Sequence, residues 1–340
     1  MSGDFTICVG TVGGGIFYSR DGGDSWTMST WQVPVPPWAG WVRIRSIDVC
    51  PQDDNVMIAG SDVGLYRSID KGAHWAHVPS PADDPYIHVW EVKYHPTRPG
   101  TIFMGFAPGA IYRSRDNGVS WQRLPVPVAH RCIVGSTHVL DIVFDPRDPD
   151  IIWAANEASG ILRSKDGGDT WVHLPAPGPT VQNSDIHGIV ALPEGKIFCT
   201  TPDGVWNSSD EGKTYKLHKF PIEWPPEPAA VAVNVETYCR GITNIIGNPH
   251  RILVACGDYV PGKVGGVRIS DDGGSSWRSA AMDVTPNSTM YVFATHKTDP
   301  NLVVASSNYG YTYISRDAGE TWKKVPREFG EIRGLVWAPN

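Results

Sequence analysis

Charge is scarce in this chain, and long apolar runs are missing. Asp, Glu, Lys and Arg make up 19% of the 340 residues, and the net charge is −7 with no run of basic residues. Without a basic patch, nucleic acid is excluded as an expected partner. No apolar stretch reaches the length of a bilayer span, so no membrane partner is expected. Residues 1–6 show no basic segment leading into an apolar one, so no export signal is expected. Cysteine is sparse too. Cys8, Cys50, Cys132, Cys199, Cys239 and Cys256 form no CxxC pair, and several lie inside apolar runs. That spacing argues against a disulfide framework and predicts buried free thiols, hence a cytoplasmic location. What the chain has in quantity is Gly (36), Pro (29) and aromatic residues (10%), a composition of many turns and a packed interior rather than disorder.

One pattern recurs seven times: Ser-x-Asp-x-Gly-x-(Ser/Thr)-Trp. Its aspartates are Asp21, Asp70, Asp116, Asp166, Asp210, Asp272 and Asp317, separated by 49, 46, 50, 44, 62 and 45 residues. His74 replaces the hydroxyl residue in the second copy, and Tyr215 replaces Trp in the fifth. The chemistry is that of a hairpin turn. Ser and Asp side chains bond backbone N–H groups, Gly supplies a left-handed position, and Trp opens the returning strand and packs between neighbours. The aspartates are therefore expected to be structural. Periods of this size fit one four-stranded propeller blade per repeat.

Each repeat has a first half as well. A strand ending near a proline, such as residues 46–51 or 141–146, is followed by a turn and an apolar second strand such as 56–60 or 151–155. The N-terminal run from Phe5 to Gly10 reads as a second strand leading to the first box, and the C-terminal run from Ile332 to Pro339 reads as an inner strand without partners. Joining the two completes one blade from one C-terminal and three N-terminal strands, and closing the ring removes exposed sheet edges. The expectation is all-β: residues 1–340 as a single seven-bladed β-propeller domain.

The motif resembles the Asp-box, or BNR, repeat found in sialidases, xyloglucan-active glycosidases, sortilin-type receptors and photosystem II assembly factors. The resemblance covers nearly the whole chain and implies the fold. It does not imply one function, because the same box serves enzymes and binders. Sialidases of this type imply six blades, an arginine triad and a Tyr–Glu nucleophile pair, and none is evident here. The xyloglucan enzymes imply two tandem propellers with carboxylates across the cleft between them, and this chain supplies one propeller. The photosystem factors imply an export signal and a basic patch, both missing. No catalytic residue transfers from these families.

Propellers bind at the central funnel, where the inner strands begin, while the boxes lie at the opposite side. Aligning the inner strands on their terminal proline sets side chains at even offsets on one strand face. Eight and six residues ahead stand Arg43 and Arg45, His88 and Trp90, His138 and Leu140, Asp185 and His187, Glu331 and Arg333. The remaining two blades align less securely, with Tyr238, Arg240 and Thr243 in one and Thr289 and Tyr291 in the other. Either this ring is a solvated channel mouth whose polar groups satisfy one another, or it is a site. As a site, His88, His138 and His187 are candidates to converge on a divalent metal, or to serve as acid or base beside Glu331, Asp185 or Glu157. Arg43, Arg45, Arg240 and Arg333 would hold a carboxylate or a developing oxyanion. Trp31, Trp38, Trp41 and Trp224 fall in connecting loops, with Trp38 and Trp41 in a proline-stiffened stretch. They either stack on a sugar or aromatic ligand or pack the loop onto the ring. Segments 218–237 and 258–264 are expected to wall the same funnel. The leading expectation is an intracellular hydrolase or lyase acting on a small polar, aromatic or saccharide ligand. The alternative is a non-catalytic scaffold that binds a protein or glycan on its Trp-rich face.

Overall fold

The computed structural model describes residues 5–31, 42–84, 86–128, 131–132, 135–221 and 237–340. Seven antiparallel sheets of at least four strands form the blades of a closed propeller. The inner strands, in ring order from the closing blade, are Ile332–Pro339, Ile44–Val49, His88–Tyr94, Val139–Phe144, Gly188–Ala191, Tyr238–Ile245 and Met290–Ala294. Blade 1 takes its inner strand from the C-terminus and Phe5–Thr11, Gly15–Ser19 and Thr27–Met28 from the N-terminus. Phe5 pairs with Pro339 and Thr11 with Ile332, so the closing ladder runs the length of Phe5–Thr11. Blades 2 and 7 carry a short fifth strand, Thr30–Trp31 and Ala281–Met282, which runs parallel to the outermost strand.

The Asp-box turns are built alike. In the first, the Gly23 N–H donates to Ser19 Oγ at 2.8 Å, and Ser19 Oγ donates to Asp21 Oδ1 at 2.7 Å. The Ser25 N–H and hydroxyl donate to Asp21 Oδ1 and Oδ2 at 2.9 and 2.5 Å. The same Gly-to-Ser bond closes all seven turns. In the second box His74 Nδ1 takes the hydroxyl's place, 2.5 Å from Asp70 Oδ2. The box glycine has φ between 81° and 98° in every copy, and the residue before it is also left-handed, including Lys71, Asn117, Glu211 and Ala318. Two successive positive φ values define the tight turn that suits twisted strands, which is why the box needs glycine there.

Adjacent blades are latched at this end by long cations. Arg20 donates to the Asp70 carbonyl, Arg67 to Asn117, Arg113 to Gly167, Arg163 to Glu211, Lys196 to Gly273 and Arg251 to Ala318. Each latch reaches from one blade to the box of the next. Between them lie seven apolar clusters, with Trp75, Trp153, Trp322 and Trp337 fully buried.

The inner strands share one irregularity. In six blades the pairing to the second strand skips a residue near its start: Arg45, Trp90, Leu140, Tyr291, Arg333, and Arg240 together with Gly241. A bulge of this kind leaves a residue unpaired and re-aims its side chain. Glycine on the second strand accompanies it in blades 1, 2 and 3, at Gly10, Gly60 and Gly105. A Cβ at Gly60 would lie 2.4 Å from Val89 Cγ1, and one at Gly105 would lie 2.5 Å from Val139 Cγ1, so only glycine lets the next inner strand approach.

Candidate functional site: the channel mouth

A channel of about 790 Å³ follows the ring axis. Arg45, Trp90, Leu140, His187, Arg240, Tyr291 and Arg333 line its mouth, and Pro51, Pro96 and Pro146 stand at its far end. Six of those seven mouth residues are the bulge residues, and His187 sits one position ahead of the inner strand of blade 5. The sixth position ahead of the aligned prolines therefore faces the axis. The eighth position behaves differently, because the bulge breaks the simple alternation between the two. His138, Asp185, Glu331 and Arg43 pair with neighbouring side chains instead of lining the channel.

The mouth residues form chains of contact across blades. The Arg45 guanidinium lies 4.2 Å from the Trp90 ring centroid, and Trp90 stacks on His138 at 4.0 Å. His138 Nδ1 is hydrogen-bonded to Glu157 Oε2, from the turn between the second and third strands of blade 4. Opposite, Tyr291 has Arg240 at 4.7 Å and Arg333 at 4.5 Å from its ring, and Arg333 donates to the Tyr291 hydroxyl. Arg333 Nε also donates to Glu331 Oε1 at 2.5 Å. The His187 Nδ1–H donates to the Cys239 carbonyl at 2.7 Å. Its Nε2 lies 3.1 Å from the Tyr238 hydroxyl and 3.3 Å from Asp185 Oδ2. A bare Nε2 accepts the phenol's hydrogen, and a protonated one pairs with Asp185, so the cluster has a place for a proton in either state.

Electrostatics mark this end of the channel. Burial, with Arg240 and Arg45 nearby, pulls the Arg333 guanidinium down to about 9. Burial also lowers Arg45, and raises the Tyr238 phenol to about 12. Burial alone would raise Glu157 and Asp185. The His138 hydrogen bond to Glu157, the His187 charge beside Asp185 and the Arg240 charge outweigh it, holding both below the usual carboxylate range. Glu331 is raised, chiefly by burial. Among the described residues, the buried atoms Arg45 Nε, Trp90 Nε1 and Asp185 Oδ1 have no hydrogen-bond partner. Orphaned donors and shifted groups in a concavity are the physical signature of a binding site.

Deeper in the channel is a throat that the sequence reading missed. Lys93 Nζ lies 3.2 Å from Glu91 Oε1 and also feels Asp48 and Asp141. Those aspartates are inter-blade ties: Asp48 accepts from the Tyr94 N–H at 2.7 Å, and Asp141 from the Ile189 N–H at 3.0 Å. Burial pushes Glu91 up to about 8. A charged residue in the middle of an inner strand was the available signal.

The other expected residues fall as follows. Arg43 sits 3.8 Å from Asp62 with its side chain largely exposed, and is outside the mouth. His88 begins the inner strand of blade 3 opposite Ala107. The three histidines expected to converge on a metal are not grouped among the described residues. His138 Nδ1 is taken by Glu157, both nitrogens of His187 have other neighbours, and among the described residues no three His, Cys, Asp or Glu side chains are grouped to hold an ion. Trp31 packs on Trp75 and Tyr66, at 6.1 and 4.7 Å, so it fastens its strand to blade 2 rather than facing a ligand. Trp38, Trp41 and Trp224 lie outside the described residues. Cys8, Cys50, Cys199, Cys239 and Cys256 are free thiols, and all but Cys50 are buried.

With the geometry in view, comparison with known proteins gives a consistent architecture. Residues 62–176 match the model of the sortilin (neurotensin receptor 3) family, and residues 313–324 match the BNR/Asp-box repeat. No curated protein matches by sequence at a significant level. Among solved structures, the GH74 xyloglucanase of Xanthomonas campestris superposes with a TM-score of 0.68 at 17% identity, covering 94% of this chain and 52% of that one. This chain thus spans about half of that enzyme's length. YCF48 bound to D1 peptide superposes with a TM-score of 0.61 at 16% identity, covering 94% and 96%. YCF48 from Cyanidioschyzon merolae gives 0.58 at 14%, covering 87% and 95%. At these identities the shared feature is the Asp-box propeller fold.

Proposed function

We propose that the channel mouth is the active site of an intracellular enzyme acting on a small anionic, sugar-like substrate by acid–base chemistry, with elimination favoured over hydrolysis. The observation that carries this is the meeting of Arg45, Arg240 and Arg333 from three blades around one opening, close enough that Arg240 and Arg45 help lower Arg333. Such a cluster is stable where an anion neutralises it, and planar guanidiniums suit a carboxylate.

The carboxylates favour a lyase. Hydrolysis by paired carboxyl groups needs one held protonated near neutral pH. Glu157 and Asp185 are both shifted the other way, and the raised Glu331 is bonded to Arg333. In elimination, the arginines would neutralise the substrate carboxylate and make the adjacent C–H acidic. His138, stacked behind the mouth residue Trp90 with its Nδ1–H held by Glu157, would take that proton on Nε2 at the rim. The freed electron pair forms a C=C bond, the β C–O bond breaks, and the departing oxygen takes a proton from Tyr238, which burial keeps protonated. Arg240 bonds the same phenol and would steady the phenolate until solvent restores its proton.

One observation supports a second reading. The chain matches YCF48, solved with D1 peptide bound, over nearly the full length of both. An acidic peptide docked on the same arginines would make the protein a binder. The test is incubation with uronate oligosaccharides while recording the ultraviolet absorbance of an unsaturated product. Wild-type protein should generate it, and His138→Ala and Arg240→Met should lose at least 100-fold in rate. Tight binding without product would overturn the enzyme and leave the binder.

A further inference from the structure

The mouth is continued outward by an exposed aromatic residue on a fastened turn. Residues 258–264 join the second and third strands of blade 6 and carry Tyr259, 61% exposed, with its ring 6.4 Å from that of Tyr238. An isolated exposed tyrosine means little. This one differs in how its backbone is held. Asp258 Oδ1 accepts from the N–H groups of Lys263 and Val264 at 3.0 and 3.4 Å. The Tyr259 carbonyl accepts from the Thr289 hydroxyl, and the Thr289 N–H donates to the Pro261 carbonyl at 3.0 Å. Thr289 is buried and stands two residues before Tyr291, so the turn is tied to the strand that sets Tyr291 beside Arg240 and Arg333.

The next turn around the rim repeats the arrangement. The Asn308 N–H donates to the Thr289 carbonyl at 2.9 Å. Tyr309, 48% exposed, has its N–H bonded to Ser288 Oγ at 2.8 Å and its carbonyl to Asn287 Nδ2 at 2.9 Å. One buried threonine thus ties together two turns with exposed tyrosines on the arginine side of the opening. A ring on a pre-ordered backbone loses only side-chain freedom when it stacks, and the apolar face of a pyranose is a suitable partner.

We propose that Tyr259 is the platform of a second subsite, so that the ligand is a saccharide of at least two rings. Its acidic ring lies against Arg240 and Arg333, and the neighbouring ring stacks on Tyr259. This rests on the mouth being a site for an anionic sugar. Titration calorimetry of the full chain tests it with galacturonate, glucuronate and the di- and trisaccharides of each. Wild type should bind the disaccharides about tenfold more tightly than the monosaccharides. Tyr259→Ala should bring that ratio to about one, Tyr259→Phe should keep it, and Tyr86→Ala, an 83% exposed tyrosine before blade 3, should not change it. A wild type without disaccharide preference, or one whose preference survives Tyr259→Ala, overturns the platform alone. A wild type that binds none of these acids, or an Arg240→Met variant that binds them undiminished, overturns the mouth reading and the platform with it.

Discussion

The two ends of the propeller obey different rules. At the box end the same Ser, Asp and Gly atoms form the same bonds seven times, every partner within four residues. At the mouth, seven equivalent positions carry Arg, Trp, Leu, His, Arg, Tyr and Arg, and their contacts cross from blade to blade. A hydrogen-bond set closed within one turn can be copied without regard to its neighbours, so it stays uniform and contributes stability. A side chain whose partner stands on the next blade is defined by the whole ring, so each position is free to differ. Uniformity is imperfect in the boxes: among the described residues, the indole N–H groups of Trp121 and Trp277 and the Tyr215 hydroxyl lack partners.

That contrast breaks most sharply in the throat, where a position that never repeats should still govern stability. Lys93→Met leaves Glu91, Asp48 and Asp141 around a neutral side chain, and should cost about 3–5 kcal/mol in urea unfolding. A loss below about 1 kcal/mol would mean that the carboxylates are solvated through the channel. Next in size is a box. Ser114→Ala strands the buried Gly118 N–H and should cost about 1–2 kcal/mol, with unchanged affinity for acidic saccharides at the mouth. Altered affinity would show that the two ends are coupled. The smallest effect is the acid limb. At Asp21 burial is the largest single effect and raises the carboxyl, but the hydrogen bonds from Ser19 and Ser25 together outweigh it and hold the group at about 2; the Ser120 bonds hold Asp116 at about 2. Folded values below the ordinary 3.8 mean stability that is present above that pH and is lost as pH falls toward 2. Denaturant midpoints measured over that range should decline less steeply in Asp21→Asn than in wild type, and equal slopes would remove the boxes from the acid response.

The boxes were readable in the sequence because their bonds join residues close along the chain, and seven copies gave the blade count. The closure of Phe5–Thr11 on Ile332–Pro339 followed from counting strands. At the mouth, Arg45, Trp90, His187 and Arg333 were reached through the proline alignment, which works where a proline ends the inner strand. It weakens in blade 6, where Tyr238–Ile245 turns directly into Asn248–Gly257. The bulge itself had no mark on the inner strand. Its trace was across the ladder, at Gly60 and Gly105, where a Cβ would strike the next blade. Offset along a strand says nothing of which neighbour a ring nitrogen will find, so the alignment set His88, His138 and His187 at one height without bringing them into one group among the described residues. Lys93 was overlooked because its meaning depends on two aspartates of neighbouring inner strands, Asp48 and Asp141, joining Glu91 of its own strand around it.

The skipped residue at the head of six of the seven inner strands has a consequence for how such a protein diversifies. Because that residue takes no part in the ladder, exchanging it leaves the pairing of its blade untouched. The rim then works like a combination dial whose wheels touch one another but turn on a fixed axle. Each wheel turns by a single codon, and a new ligand can be tried without renegotiating the architecture that displays it.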